Sequence, residues 1–130
     1  MNHLYDNQFY QHNMRLVQKG HLDAARNLLE QFLKAYPEHA NQQVGALLYF
    51  IYRGMDDVDS AIDTCDQQLS LVDKDLPRST WLLRRGLLKL RANHEVDALS
   101  DFKEVIQMNC SIDHVSQAQK SINEANLKVN

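Results

Sequence analysis

The stretch NHEVDALSDF, residues 93–102, decides the fold of this chain, because its pattern is present three times. The other copies are GHLDAARNLL at residues 20–29 and DDVDSAIDTC at residues 56–65. In each copy a turn-tolerant residue is followed five positions later by an alanine and nine positions later by a larger residue. The alanines are spaced by 36 and 37 residues, at Ala25, Ala61 and Ala98. A period of this length in a helix-rich sequence indicates stacked helical hairpins.

The periodicity of apolar residues extends this pattern to seven helices joined by short links. Gly20 and Asn93 suit the backbone of tight turns, and Pro37 ends the second helix. The alternating runs typical of strands are absent from the sequence. We therefore expect one all-α domain over residues 1–130. It comprises hairpins at about 4–37, 39–75 and 78–110 and a capping helix at about 112–128.

Small residues mark the places where these helices cross. Two antiparallel helices approach closely where a side chain is small, and each alanine of the repeat lies one turn into the second helix of its pair. Gly86 lies twelve residues before Ala98, inside the predicted fifth helix. A glycine there costs about 1 kcal/mol relative to alanine. Its presence predicts a close backbone approach at this crossing.

The pattern resembles the tetratricopeptide repeat (TPR) family over roughly residues 5–110. The third copy carries the resemblance best, through Trp81, Leu82, Gly86, Ala98 and Phe102. The resemblance implies a right-handed superhelical solenoid whose concave face is lined by the first helix of each pair. The chain departs from the family at three positions, where Asn13 and Tyr49 replace small residues and Asp73 replaces a proline.

The resemblance also implies a peptide-binding groove on the first helices. Its apolar residues suit the anchors of a peptide, and its arginines suit acidic flanks, because the guanidinium fork matches a carboxylate. Several of these apolar residues could instead pack against the seventh helix or against a second copy of the chain. The groove positions carried over from the family are Tyr10, Gln11, Met14, Gln18, Leu47, Phe50, Arg53, Leu83, Arg84, Leu87 and Arg91.

One TPR subtype binds carboxyl-terminal peptide tails through a clamp of lysine and asparagine residues. In this chain four of the corresponding positions are Tyr10, Met14, Leu47 and Thr80, and only Arg84 fits the clamp. The resemblance therefore implies a partner other than such a tail. We expect a non-catalytic adaptor or small chaperone that binds a protein segment, or alternatively an assembly subunit that forms a homodimer through the same surface.

Motifs for catalysis and cofactor binding are absent from the sequence. It contains no G-x-S-x-G, no P-loop and no Rossmann fingerprint. His94 and Glu95 do not begin a zinc-protease motif, because residue 98 is alanine. The 6 histidines are scattered, and none of them pair at zinc-ligand spacing. We expect no enzymatic activity, no metal and no cofactor.

Charge and hydropathy restrict the partners and the location. The formal net charge of −3 argues against a nucleic-acid surface, which usually carries a basic stripe. No apolar run approaches the roughly 20 residues that span a membrane. The first residues have neither the basic nor the apolar region of a secretory leader, so we expect a cytoplasmic protein. Cys65 and Cys110 lack metal-ligand spacing, and we expect both to be small buried residues.

Overall fold

A computed structural model describes residues 7–39 and 41–129 of the chain, and this part contains seven α-helices and no strand. The prediction of an all-α protein is confirmed, and the helices lie where the apolar periodicity placed them. Residues 4–6 of the predicted first hairpin lie outside the described part. A short 3-10 helix, Pro37–His39, lies between the second and third α-helices. The helices are α1 Asn7–Gln18, α2 Leu22–Ala35, α3 Gln42–Gly54, α4 Val58–Leu71, α5 Asp75–Arg91, α6 Glu95–Met108 and α7 Ile112–Val129.

The helices form two compact units, Met1–Asp57 and Val58–Asn130. In the first unit α2 packs against both α1 and α3. In the second unit α5 packs against α4, α6 and α7, and α6 also packs against α7. The boundary lies between α3 and α4, inside the predicted second hairpin. A single domain over residues 1–130 stays a prediction.

The three turn residues of the repeat share one helix-terminating geometry. Gly20, Asp56 and Asn93 have φ angles of 81°, 61° and 63°, all in the left-handed region. At each turn the residue's own N–H bonds to the carbonyl three positions back, and the next N–H bonds to the carbonyl five positions back. At Asn93 these bonds are 3.0 Å to Leu90 and 2.8 Å to Lys89. This pair of bonds is the Schellman motif, which satisfies the last carbonyls of a helix.

The alanines of the repeat are fully buried, as predicted from their spacing. Ala25, Ala61 and Ala98 have no exposed surface, and neither do the residues four positions later, which are Leu29, Cys65 and Phe102. Because positions four apart share one helix face, each copy turns a two-residue stripe toward the core. The repeated pattern in the sequence therefore marks the packed face of α2, α4 and α6.

Gly86 meets an aromatic ring rather than a backbone. A Cβ atom built on Gly86 would lie 2.6 Å from Cε1 of Phe102, closer than a Cβ contact allows. The prediction of a close approach at this glycine is confirmed, but its expected partner was a backbone. The partner is the side chain that ends the third copy of the repeat. Gly86 and Phe102 thus form one complementary contact between α5 and α6.

Candidate functional site

The predicted groove residues of the first unit divide into exposed and buried positions. Leu47 of α3 is buried with 4% exposure, so it offers little surface to a ligand. Phe50, also on α3, is 43% exposed, which is unusual for a phenylalanine. Of the other positions, Tyr10 and Met14 are half-buried, and Gln11, Gln18 and Arg53 are exposed.

Arg53 lies over the two neighbouring aromatic rings of α3. Its guanidinium carbon is 5.2 Å from the centroid of Phe50 and 5.5 Å from that of Tyr49. The two rings themselves meet edge to face with centroids 5.2 Å apart. A guanidinium at these distances is attracted by the negative faces of the rings, which holds the cation near them. The end of α3 therefore presents a positioned cation beside an exposed apolar ring.

In the second unit α5 carries a stripe of one apolar residue between two cations. Arg84, Leu87 and Arg91 are separated by three and four positions, so they lie on one helix face. Arg84 and Leu87 are half-buried and Arg91 is exposed, whereas the predicted groove residue Leu83 is buried. The Arg84 guanidinium lies 4.7 Å from the ring centroid of Trp81. Three of the four predicted positions on α5 are therefore accessible.

An open cleft of about 410 Å³ lies beside this stripe, between α5 and α7. Ala118 and Ala125 are the fully buried positions of α7, and the cleft is lined by a different, mostly polar face of the helix. Thus α7 forms a wall of the space beside Leu87 and does not fill it. The residues lining the cleft are Leu87, Asp113, Ser116, Gln117, Lys120, Ser121 and Glu124.

The charges of the chain are segregated by helix type. The first helices of the pairs, α1, α3 and α5, carry net charges of +1, +1 and +4, and α1 and α3 contain no acidic residue. The second helices α2, α4 and α6 carry net charges of 0, −3 and −3. The overall charge of −3 therefore conceals a cationic set of helices.

Most of the cations of α5 are engaged within the second unit. Arg85 donates two hydrogen bonds to Asp101, of 2.9 and 2.7 Å, and one of 2.9 Å to Asp66. The pKa of the Arg85 guanidinium is raised above its usual value, chiefly by the hydrogen bonds to Asp101. Lys89 is 3.5 Å from the same Asp101 carboxylate. These residues connect α4, α5 and α6 and are structural.

Arg78 is also used in the fold. Its guanidinium donates to the carbonyl oxygens of Leu69 and Val72, at 2.9 and 3.1 Å, where α4 ends. A cation at a helix C-terminus satisfies the last carbonyls and complements the helix dipole. The other two basic residues of α5, Arg84 and Arg91, lie on the accessible stripe beside Leu87.

Folding brings one serine next to a histidine, a pair that sequence spacing could not reveal. Ser79 Oγ of α5 lies 2.8 Å from His114 Nδ1 of α7. Ser79 has no exposed surface, so its hydroxyl cannot meet a substrate, and the pair joins two helices. Within residues 7–39 and 41–129, no group of three or more histidine, cysteine or acidic side chains could hold a metal ion.

The two cysteines differ in their surroundings. Cys65 is buried, as expected, but Cys110 is exposed, so the expectation that both are buried is wrong for Cys110. Cys110 lies in the short link between α6 and α7, directly after Asn109, where the chain leaves a helix with a φ angle of 46°. Burial raises the pKa of the Cys65 thiol to about 12.

The polar face of α7 is the part of the cleft that the sequence prediction missed. The seventh helix was interpreted as a cap because its apolar residues recur on one stripe. Its other residues repeat at a similar spacing, with Asp113, Gln117, Lys120 and Glu124 three or four positions apart. This second period was visible in the sequence. The relation of this polar face to a cleft was not visible, because the cleft depends on Leu87 of α5 lying opposite α7.

Comparison with solved structures identifies the fold. The structure described as "First TPR of Spaghetti (RPAP3) bound to HSP90 peptide SRMEEVD" matches with a TM-score of 0.69 and 14% sequence identity. The match covers 92% of this chain and 88% of that one. The chain therefore has the helical-repeat fold of a TPR domain. No protein-family profile matches the sequence, and no curated protein is similar enough to count as a relative.

The helices of the described part do not have the dimensions of a membrane span. None of them combines sufficient length with sufficient apolar character to cross a bilayer.

Proposed function

We propose that this protein is a non-catalytic interaction module, an adaptor or small chaperone in the cytoplasm, that binds a segment of a partner protein. The ligand carries apolar anchors flanked by acidic residues. The accessible face of α3 in the first unit and the accessible face of α5 in the second unit provide the contacts. Leu47 and Leu83 are buried and contribute to the packing of these helices, and the accessible side chains bind the ligand.

The observation that carries this proposal is the stripe formed by Arg84, Leu87 and Arg91. An apolar residue between two cations on one helix face matches an apolar anchor between two acidic residues. Charge segregation among the helices supports the same ligand, because α1 and α3 contain no acidic residue and Arg84 and Arg91 of α5 are accessible. Opposite charges of this kind speed association and select partners more than they add affinity.

The similar TPR structure is bound to an HSP90 peptide, SRMEEVD, which supports a peptide as the class of ligand. Its acidic residues are also consistent with a cationic binding face. We do not extend that particular ligand to this chain. The clamp positions Tyr10, Met14, Leu47 and Thr80 carry neither lysine nor asparagine, so the apolar anchor is expected to contribute more here than a terminal carboxylate.

The test is a quantitative pull-down from the native cell with the double variant Arg84→Glu, Leu87→Asp. We expect the variant to lose the partners that the wild-type protein retains, because it reverses one charge and places a second carboxylate in the stripe. Bound proteins are measured by mass spectrometry, and folding of both baits is checked by circular dichroism and thermal unfolding.

A matched control carries the same types of change on α6. The double variant Lys103→Glu, Val96→Asp also reverses one cation and replaces one apolar residue, and both positions are exposed. It should retain the partners. Equal recovery by the wild type and the α5 variant, with both folded, would show that the stripe is not the binding surface.

A specific pair of exposed residues favours self-association as the second function. Leu71 and Leu76 are 61% and 53% exposed and flank the turn between α4 and α5. Two large exposed apolar side chains that flank one turn could be covered in a homodimer. Light scattering after size exclusion decides: a dimer that dissociates on Leu71→Ser plus Leu76→Ser supports the assembly subunit, and a monomer across micromolar concentrations excludes it.

A further inference from the structure

The turn between α4 and α5 has the composition that the proposed function expects of a ligand. Its sequence is LVDKDL, residues 71–76. Leu71 and Leu76, at its two ends, are 61% and 53% exposed, and the three charged residues between them are exposed as well. The chain therefore carries an exposed segment of its own in which large apolar side chains lie beside carboxylates.

The second unit holds this turn in place. Val72 is buried, and the guanidinium of Arg78 donates to the carbonyl oxygens of Leu69 and Val72 at 2.9 and 3.1 Å. A segment that is already ordered loses little conformational entropy when it binds, so it binds more tightly than a flexible peptide with the same contacts. The turn is thus a pre-organised surface.

The charges of the turn and of the stripe on α5 are opposite. Two of the three charged residues of the turn are aspartates, and α4, which leads into it, has three aspartates and no basic residue. Asp59 and Asp63 of α4 are exposed. The stripe formed by Arg84, Leu87 and Arg91 instead has an apolar residue between two cations. Complementary charges of this kind select which surfaces meet.

The turn of one chain cannot contact the stripe of the same chain. Leu76 lies in the first turn of α5, and Leu87 lies eleven residues further along that helix. Because an α-helix rises 1.5 Å per residue, the two positions are roughly 16 Å apart on one rigid rod. The two surfaces can therefore meet only between two copies of the protein.

The spacing of the charges allows such a contact. Arg84 and Arg91 are seven residues apart, which is about 10 Å along α5. Asp73 and Asp75 are two residues apart, so their Cα atoms are separated by at most about 7 Å. Long arginine side chains can cover this difference, and each guanidinium fork matches one carboxylate.

We propose that the protein associates head to tail, with the turn at residues 71–76 of one copy bound to the stripe of α5 in a second copy. The leucines of the turn contact the leucine of the stripe, and its aspartates pair with the two arginines. Because the two surfaces differ, the contact is heterologous and leaves one turn and one stripe open for further copies. The inference rests on the proposed function: a bound copy covers the stripe, so self-association regulates the access of a partner segment.

Sedimentation equilibrium of two variants and their mixture tests this contact. The turn variant Leu71→Ser, Leu76→Ser keeps an intact stripe. The stripe variant Arg84→Glu, Leu87→Asp keeps an intact turn. We expect the weight-average mass of the wild type to rise above the 15.1 kDa of one chain as its concentration approaches about 1 mM. Each variant alone should be monomeric, and their equimolar mixture should form dimers that grow no further, because each pair has one intact contact.

A control and a second measurement accompany the mixing experiment. The α6 variant Lys103→Glu, Val96→Asp, which changes the same types of residue, should associate like the wild type. In the pull-down the turn variant should recover more partner than the wild type at the same bait concentration, because its stripe is uncovered. Circular dichroism confirms that each variant is folded.

The outcomes separate this inference from the proposed function. A wild type that stays monomeric to about 1 mM, while the stripe variant loses partners in the pull-down, overturns the inference and leaves the proposed function standing. A stripe variant that still dimerises alone indicates a contact between two turns and also overturns the inference. Association that needs both surfaces, together with unchanged partner recovery by the stripe variant, supports the contact between copies and contradicts the proposed partner site.

Discussion

Arg85 and Asp101 form a two-point ion pair between α5 and α6, in which both guanidinium nitrogens of one edge meet both carboxylate oxygens. Asp101 is only 3% exposed, so nearly all of its charge is neutralised by protein groups. Arg84, the sequence neighbour of Arg85, instead stacks on the ring of Trp81. Adjacent arginines thus serve different purposes, one in the fold and one on the accessible stripe.

Removing Arg85 should strongly destabilise the second unit. The variant Arg85→Ala leaves the buried Asp101 carboxylate without its two hydrogen bonds, and breaking a buried pair in this way costs about 3 kcal/mol or more. Urea unfolding followed by circular dichroism measures the change. Glu104→Ala, at an exposed position of the same α6, should change the free energy of unfolding by less than about 0.5 kcal/mol. Similar losses in the two variants would contradict a structural role for the pair.

Adding a methyl group at Gly86 should destabilise the protein despite the better helix propensity of alanine. The new Cβ would overlap Phe102 at 2.6 Å, and overpacking of this kind costs about 1–3 kcal/mol. The double variant Gly86→Ala, Phe102→Leu should recover part of the loss, because a leucine can move away. Thermal unfolding of the single and double variants tests this coupling, and strictly additive effects would refute it.

Replacing Asn13 should stabilise the first unit. Asn13 is fully buried in α1, and within residues 7–39 and 41–129 neither atom of its amide has a hydrogen-bond partner. An unpaired buried polar group costs about 1–3 kcal/mol, so Asn13→Ala should raise the free energy of unfolding by about 1 kcal/mol. Asn27→Ala, exposed on α2, is the control, since it makes the same gain in helix propensity. A loss of stability in Asn13→Ala relative to this control would show that the amide is satisfied.

The two cysteines should react at very different rates. At pH 8 a thiol reagent should label one site, Cys110, in the folded protein, and a second site should appear on unfolding. Cys65 is buried, and its pKa of about 12 leaves almost no thiolate at that pH. The count of labelled thiols with and without denaturant measures this. Labelling of the folded Cys110→Ser variant would contradict the burial of Cys65.

The same raised pKa predicts a loss of stability in alkali. The folded Cys65 thiol stays protonated up to about pH 12, whereas the thiol in the unfolded chain has its ordinary pKa of 9.0. The folded state therefore binds more protons above pH 9, so the free energy of unfolding falls as pH rises, by about 1 kcal/mol between pH 8 and pH 10. The free energy of unfolding of the Cys65→Ala variant should fall by correspondingly less over this pH range. Parallel pH profiles of the two proteins would exclude the thiol as the cause.

Much of the fold could be predicted because its determinants are local. The turn at Asn93 needs a residue that tolerates a positive φ, and the stripe of Ala98 and Phe102 needs only the spacing of one helix. Both requirements act within ten residues, so they are visible in the sequence. Gly86 could be assigned to the crossing of α5 and α6 because a glycine destabilises a helix interior, so its presence there indicates a neighbour that needs the space.

The candidate site was predicted only in part, because exposure depends on what packs against each helix. Leu83 and Leu87 differ by four positions on α5, and both read as groove residues in the sequence, yet one is buried and the other lines a cleft. Arg84 and Arg85 likewise have identical chemistry and opposite roles. Nothing within α5 distinguishes these pairs. The distinction comes from Asp101 on α6 and from the polar face of α7.

The sequence by itself determined the period of the chain, its seven helices and the turns that end them, because backbone geometry and helical periodicity are properties of short segments. The tertiary structure decided which basic residues of α5 bind acidic groups of the second unit and which lie on its accessible face. It also placed Leu87 opposite Gln117 and Lys120. Those relationships join residues of different helices, such as Arg85 and Asp101, which are 16 positions apart. They follow from the packing of α5 against α6 and α7, where burial and hydrogen bonding between distant segments assign each side chain its role.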